Sequence, residues 1–283
     1  MNNLLSLLRR IGIKRTIKFS ILRWLGLETA ASELETIHYF LNKSVDITKI
    51  PPTDDPDLRL LQLCNTELLH FVGRLCQQYG LRYWLDFGTL LGAIRHSDCI
   101  PWDDDVDIAM LREDYDRFFI LASNFLKSAG IEVIDCQFWK GLSYQHEKTG
   151  IWIDIFPYDS FLSEENYESA RKALKESISS SRQLVPTNGG NKYIYLANSD
   201  ASIFRFHRYE TVFPLQLCKY GCCSASVPGD SHTYLKTLYG DYMSLPRLGV
   251  LHHNKNGASL RELAKKNGID MIETLNRLKE INE

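Results

Sequence analysis

The stretch Asp103-Asp104-Asp105-Val106-Asp107 constrains this chain more than any other, because four carboxylates run directly into the apolar residues Ile108-Ala109-Met110. On a strand, side chains two apart share a face, so Asp105 and Asp107 project together while Val106 and Ile108 enter a core. Two carboxylates on one face repel unless a divalent cation sits between them, and hard oxygen donors of this kind select Mg²⁺ or Mn²⁺. Asp154, between Ile153 and Ile155 on another predicted strand, supplies a third carboxylate if the two strands are neighbours. Three carboxylates suffice to hold two ions, one on an attacking oxygen and one on a transferred phosphate. Asp103 joins Asp105, Asp107 and Asp154 as a candidate metal ligand, whereas Asp104 reads as a support of the loop. Two plainer readings compete. Asp103, Asp105 and Asp107 also fill the first, third and fifth places of an EF-hand loop, but Ile108 stands where its sharp turn requires Gly and Asp114 where it requires Glu. A solvated acidic loop is the commoner fate of an Asp run, yet it has no need of Trp102, Val106 and Ile108 interleaved with it.

The remainder of the chain suits one large globular domain with extensions. Of its 283 residues 44% are hydrophobic and 24% charged. Lys and Arg total 33 against 35 acids, and the isoelectric point is near 6.5, so no global field recruits a polyanion and nucleic acid is not the expected partner. Seven cysteines, an odd number scattered through apolar patterns, read as reduced thiols in a cytoplasmic protein.

Residues 1–27 hold no acid, but Arg9, Arg10, Lys14, Arg15, Lys18 and Arg23 alternate there with Leu, Ile, Phe and Trp. Spanning a bilayer takes about 20 predominantly apolar residues, and the basic side chains interrupt every such run. Two readings stand for this arm: a basic amphipathic helix lying on the inner face of a membrane, or a helix packed on the protein with a solvated basic face.

Residues 30–45 look helical, and Ile50-Pro51-Pro52-Thr53-Asp54-Asp55-Pro56 forms a connector. The expected organisation is an arm and linker over residues 1–56, a catalytic domain over 57–255 and a helical tail over 256–283. Leu61, Cys64, Leu68, Val72 and Leu75 keep helical spacing up to a stop at Gly80. A short strand around Trp84-Leu85, a turn at Gly88-Thr89, a helix, a strand at 106–110 and one amphipathic helix through Tyr115, Phe118, Phe119 and Leu126 to Gly130 follow. Further strands are expected at 131–134 and at 151–156, the latter closed by Pro157, then a polar helix over 164–183. Beyond Pro186 the pattern is irregular until a charged helix over 260–281. The fold class is α+β, a mixed sheet flanked by helices.

Gly88-Thr89 is the kind of strand-to-helix turn whose N–H groups and hydroxyl cradle a phosphate. The order of Gly-Thr, paired Asp on a strand and a lone Asp on a later strand resembles the nucleotidyltransferase-fold signature. Phe87-Gly88-Thr89-Leu90-Leu91-Gly92-Ala93-Ile94-Arg95-His96 and Ile100-Pro101-Trp102-Asp103-Asp104-Asp105-Val106-Asp107-Ile108 resemble the hallmark of the LicD family, bacterial phosphocholine transferases with animal relatives that include fukutin and fukutin-related protein. Similarity continues at Ile153-Asp154-Ile155-Phe156-Pro157-Tyr158-Asp159, Phe213-Pro214-Leu215, Tyr239-Gly240-Asp241-Tyr242-Met243 and His252-His253.

The resemblance implies transfer of a phospho-alcohol from a CDP-alcohol donor to a sugar hydroxyl of a glycan or glycolipid acceptor, releasing CMP. It places Asp105 and Asp107 on the metal, Asp154 on metal or acceptor proton, and Gly88, Thr89 and Arg95 on phosphate. Asp103, Asp104 and Asp159 keep alternative roles in orienting the loop. His96 reads as a phosphate contact or a structural donor. Cys218, Cys222 and Cys223 with His232 read as a zinc set or, by their spacing, as buried thiols. The P-loop, serine-hydrolase and zincin motifs are missing.

Overall fold

The computed structural model describes residues 28–144, 150–180, 189–197, 204–246, 266 and 268–283. The basic arm over residues 1–27 and the pair His252-His253 lie outside the described residues. The chain divides into two compact units, residues 51–242 with 255–283 and a smaller one of residues 1–50 with 243–254. In the smaller unit, α1 (Glu28–Ser44) covers the expected helix. Its Asn42 accepts the N–H of Leu245 at 2.6 Å, and His38 Nε2 lies 3.0 Å from the Leu245 carbonyl oxygen.

The larger unit opens with α2 (Pro56–Tyr79). Asp55 accepts the N–H groups of Asp57 and Leu58, Pro56 starts the helix where no N–H is needed, and Gly80 ends it in the left-handed conformation at φ 62°. Leu61, Leu68 and Val72 on its inner face are fully buried, each contributing roughly 1.5–3 kcal/mol. Two amides, Gln62 and Asn65, lie buried on the same helix. Helix α9 (Met271–Asn282) packs along α2 and buries Met271, Leu275 and Leu278.

Between them run β1 (Trp84–Leu85), α3 (Phe87–His96), β2 (Val106–Leu111), α4 (Arg112–Leu121), α5 (Ser123–Ser128), β3 (Ile131–Asp135), β4 (Lys140–Tyr144) and β5 (Trp152–Ser163). Then come α6 (Tyr167–Ser180), β6 (Asn191–Leu196), β7 (Phe206–Arg208), α7 (Tyr209–Val212), the hairpin β8 (Gln216–Tyr220) and β9 (Cys223–Val227), and α8 (Ser231–Tyr239). Among the described residues the main sheet has the order β1-β2-β5-β4-β3, extended by β6 on β5 and β7 on β6. Only its β2–β5 pair is parallel. This is the expected mixed sheet flanked by helices. Among the described residues no helix is long and apolar enough to cross a membrane.

Three local expectations need correction. Pro157 does not close β5, which runs on to Ser163. The Pro157 carbonyl accepts from Ala197 on the edge where β5 changes partner, between Ile155 paired to β4 and Tyr158 paired to β6. An N–H at residue 157 would point into that gap, so proline costs no ladder bond there. The helix expected through Tyr115 and Leu126 to Gly130 is two, α4 and α5, joined at the buried Ala122. Among the described residues beyond Pro186 the chain is not irregular: β6 and β7 add to the main sheet, and β8 and β9 form a separate hairpin.

Candidate active site

Strands β2 and β5 place Asp107 and Asp154 at matched positions of the parallel pair, side by side on one face. Burial pushes the Asp107 carboxyl well above the usual range, and Asp105, Asp154, Asp103 and Asp86 push it further in that order. Asp105 stands just before β2, which begins at Val106 as expected. One carboxylate oxygen from each of Asp103, Asp104 and Asp105 lies within 4.8 Å of the others. Asp104, read from the sequence as a support only, therefore belongs spatially to the cluster. A half-buried group of hard oxygen donors, set beside an Asp107 carboxyl that Asp105 and Asp103 help to raise, fits Mg²⁺ or Mn²⁺.

Two amides of α2 hold the acidic loop. Gln62 donates to the carbonyls of Ile100 at 3.2 Å and Asp103 at 2.9 Å. Asn65 donates to the Asp104 carbonyl at 3.0 Å and accepts the N–H of Trp152 at 2.9 Å. One side chain thus ties the loop to the start of β5. Their signal in the sequence is a pair of amides three apart within an apolar helical face, which the reading passed over.

Asp154 has its own scaffold. The indole N–H groups of Trp139 and Trp152 both donate to its Oδ1 at 2.6 Å. Burial raises the Asp154 carboxyl, the two indoles counter this, and Asp105 adds to the rise. Its cross-strand partner on β4 is Gly141. A Cβ there would lie 1.9 Å from the Trp152 ring, so the absence of a side chain at 141 lets the indole reach Asp154.

Helix α3 begins beside the cluster. Asp86, fully buried, accepts from Tyr158, Tyr234 and the Phe87 N–H, each at 2.8 Å. Burial raises its carboxyl, opposed by Tyr158, Phe87 and Tyr234 in that order. Phe87 sits at φ 42°, a conformation that costs a bulky residue about 1–3 kcal/mol, with its ring 5.0 Å from that of Phe156. Gly88 and Thr89 are therefore within the first helical turn rather than in a turn preceding it. Among the described residues nothing accepts from their N–H groups. A Cβ at Gly88 would meet Asp103 Oδ2 at 2.7 Å. Buried Thr89 accepts the Asp107 N–H at 2.7 Å, which locks α3 to β2.

The other residues singled out in the sequence have surroundings of their own. Burial brings the Arg95 guanidinium down to about 10, opposed by Tyr239, Tyr242 and Asp241 in that order. Asp159 pairs with Arg112 at 3.0 Å and, five positions beyond Asp154, belongs to the opposite face of β5. Both ring nitrogens of His96 are buried without a hydrogen-bond partner among the described residues, and burial lowers its pKa. All seven cysteines are free. Cys218, Cys222 and Cys223 bond to Ala93, Glu67 and Tyr220, while His232 meets the Tyr242 hydroxyl. Among the described residues these do not gather into a metal-ligand group.

Residues 80–230, more than half of the chain, match the family described as LicD/FKTN/FKRP, nucleotidyltransferase domain. The chain is 49% identical over 61 residues to the lipopolysaccharide cholinephosphotransferase LicD of Haemophilus influenzae, covering 22% of this chain and 23% of the relative. It is 50% identical over 48 residues to the human ribitol 5-phosphate transferase FKRP, covering 17% and 10%. To the human ribitol-5-phosphate transferase FKTN it is 38% identical over 56 residues, covering 20% and 12%. The chain thus spans under a quarter of the length of each of these relatives. With the acidic cluster, the Gly-Thr helix start and the matched stretch all lying in one unit, the chain belongs to the LicD/FKTN/FKRP nucleotidyltransferase-domain family.

Proposed function

We propose that this protein is a metal-dependent phosphotransferase that moves a phospho-alcohol from a CDP-alcohol to a sugar hydroxyl of a cell-surface glycan precursor. The observation that carries the reading is the registered pair Asp107 and Asp154 beside Asp103, Asp104 and Asp105. The relatives add that a choline phosphate and a ribitol phosphate are the groups named for them. Asp105 and Asp107 with Asp103 would hold Mg²⁺ or Mn²⁺, and the ion would supply charge neutralisation on the diphosphate.

The protein's own groups do the rest. The acceptor oxygen forms a bond to the phosphorus that bears the alcohol while the bond from that phosphorus to the CMP oxygen breaks, and CMP leaves with the electron pair. Asp154, its Oδ1 fixed by two indoles, takes the acceptor proton on its remaining oxygen, a role worth about 10²–10⁴-fold in rate. The N–H groups of Gly88 and Thr89, at the positive end of α3, bind phosphate. Arg95, a buried guanidinium in the last turn of α3, neutralises the charge that develops as CMP leaves. The site faces the cytoplasm in this reading, with the basic arm over residues 1–27 bringing the enzyme to the inner face of the membrane where lipid-linked glycans are found.

The test is incubation with Mg²⁺, a panel of CDP-alcohols and an extract of lipid-linked glycans, following CMP. CMP release that disappears in Asp105→Asn and Asp107→Asn is the expected result. Pyrophosphate release from a nucleoside triphosphate instead would make the protein a nucleotidyltransferase proper, and undiminished turnover in both variants would overturn the mechanism.

A further inference from the structure

Strand β7 sorts its side chains to two sides. Phe206, with Phe204 just before it, belongs to a small core with Tyr193, Ala170 and Leu174. His207 stacks on Tyr234 with ring centroids 3.9 Å apart. Arg205 lies over Phe87, its guanidinium carbon 5.4 Å from the ring centroid. Arg205 and His207 thus address the residues around the start of α3.

Arg205 is half-buried. Its Nε is buried with no hydrogen-bond partner among the described residues, and Nη1 donates to the carbonyl of its own neighbour Phe204 at 3.2 Å. Among the described residues it has no ion pair. Its charge is nonetheless felt at Asp86 and at Tyr239, and Tyr239 in turn feels Asp107 and Asp103. A guanidinium held over Phe87, whose charge reaches the buried Asp86 but which forms no ion pair among the described residues, is poorly compensated by the protein alone. Its planar fork matches phosphate oxygens two at a time, and an aromatic face carries it without consuming its in-plane N–H groups.

We propose that Arg205 is a substrate-binding residue whose guanidinium grips a phosphate oxygen of the diphosphate donor, held for that contact by the ring of Phe87. Phe87 immediately precedes Gly88 and Thr89, so guanidinium and helix N–H groups address one anion together. This assignment rests on the reading of the site as one that consumes a diphosphate, and its test separates the two.

The probe is inorganic pyrophosphate, titrated calorimetrically into the full chain at saturating Mn²⁺, beside CMP release from CDP-choline and CDP-ribitol. Arg205→Gln is expected to weaken pyrophosphate binding about tenfold or more, the scale of a lost charge-assisted bidentate contact, with Mn²⁺ affinity and Tm unchanged. In turnover, KM for the donor rises more than kcat falls. Arg208→Gln serves as a control, since Arg208 lies over Tyr167 and Tyr193 away from α3. Should Arg205→Gln fail to fold, Arg205→Lys keeps stem and charge but not the fork, and must still weaken pyrophosphate about threefold or more.

Equal pyrophosphate affinity in wild type and variant, no pyrophosphate binding by the wild type, or an equal loss in Arg208→Gln would each overturn the assignment. Arg205-dependent pyrophosphate binding without CMP release would leave it standing and remove the CDP-alcohol reading. CMP release that is indifferent to Arg205 would do the reverse.

Discussion

Asp107 on β2 and Asp154 on β5 are registered neighbours on parallel strands, so two carboxylates share one face of the sheet, with the Trp139 and Trp152 indoles easing the charge at Asp154. Both carboxyls are raised, each first by burial, Asp107 then by Asp105 and Asp154, and Asp154 also by Asp105. A carboxyl raised on folding stabilises the protein below its unfolded pKa, about 3.9 for Asp. That contribution is lost as pH rises through the folded value, because the folded state then binds more protons than the unfolded one. The metal-free protein is therefore expected to lose stability as pH rises above about 4, and Mg²⁺ or Mn²⁺ to restore it most at neutral pH. Asp107→Asn should raise the metal-free Tm at pH 7 by roughly 2–4 °C, or about 1 kcal/mol, and abolish the gain from Mn²⁺. Thermal scans across pH with and without Mn²⁺ check this; an Asp107→Asn protein that melts lower than wild type at pH 7 without metal would contradict it.

Trp152→Phe keeps an aromatic ring, smaller than the indole, but removes one of the two N–H donors to Asp154. Those bonds hold the Asp154 carboxyl down against burial, so the acid limb of the rate profile is expected to move to higher pH. Gly141→Ala drives a Cβ into the Trp152 ring and should both lower activity and cost about 1–3 kcal/mol of stability. Rate against pH for the first variant and denaturant melts for the second are the measurements.

Asn65→Leu leaves the Asp104 carbonyl and the Trp152 N–H without the partner that now joins them. Each lost partner of a buried group costs about 1–3 kcal/mol. Because Asn65 links the acidic loop to β5, Mn²⁺ affinity should fall along with stability, whereas Cys76→Ala on the same helix, buried but remote from the loop, should lower stability alone. Calorimetric Mn²⁺ titration of both variants makes the comparison.

Removing residues 1–27 takes away Arg9, Arg10, Lys14, Arg15, Lys18 and Arg23. If that arm lies on anionic lipid, the full chain sediments with phosphatidylserine vesicles at low salt, and the shortened chain does not. Equal sedimentation of the two would sink the membrane role.

By itself, the sequence determined the ends of α2, because Asp55, Pro56 and Gly80 act on their own backbone neighbours. It also determined that Asp107 shares a sheet face with the residues two away, because strand alternation is a local property. What stands beside that face is not local. Pairing of β2 with β5 brings together residues 47 apart and makes Asp154 the neighbour of Asp107. The loop before β2 folds Asp104 in with Asp103 and Asp105, and amides from α2 fix it there. Gly141 looks like any loop glycine until β4 lies against β5 and the Trp152 ring occupies the place of its side chain. Arg205, in a stretch with no helical or alternating pattern to mark it, reaches Phe87 only once β6 and β7 have extended the sheet. The acidic run announces its chemistry because its members are adjacent in the chain, while the residues that orient it are scattered and meet only through strand pairing and helix packing.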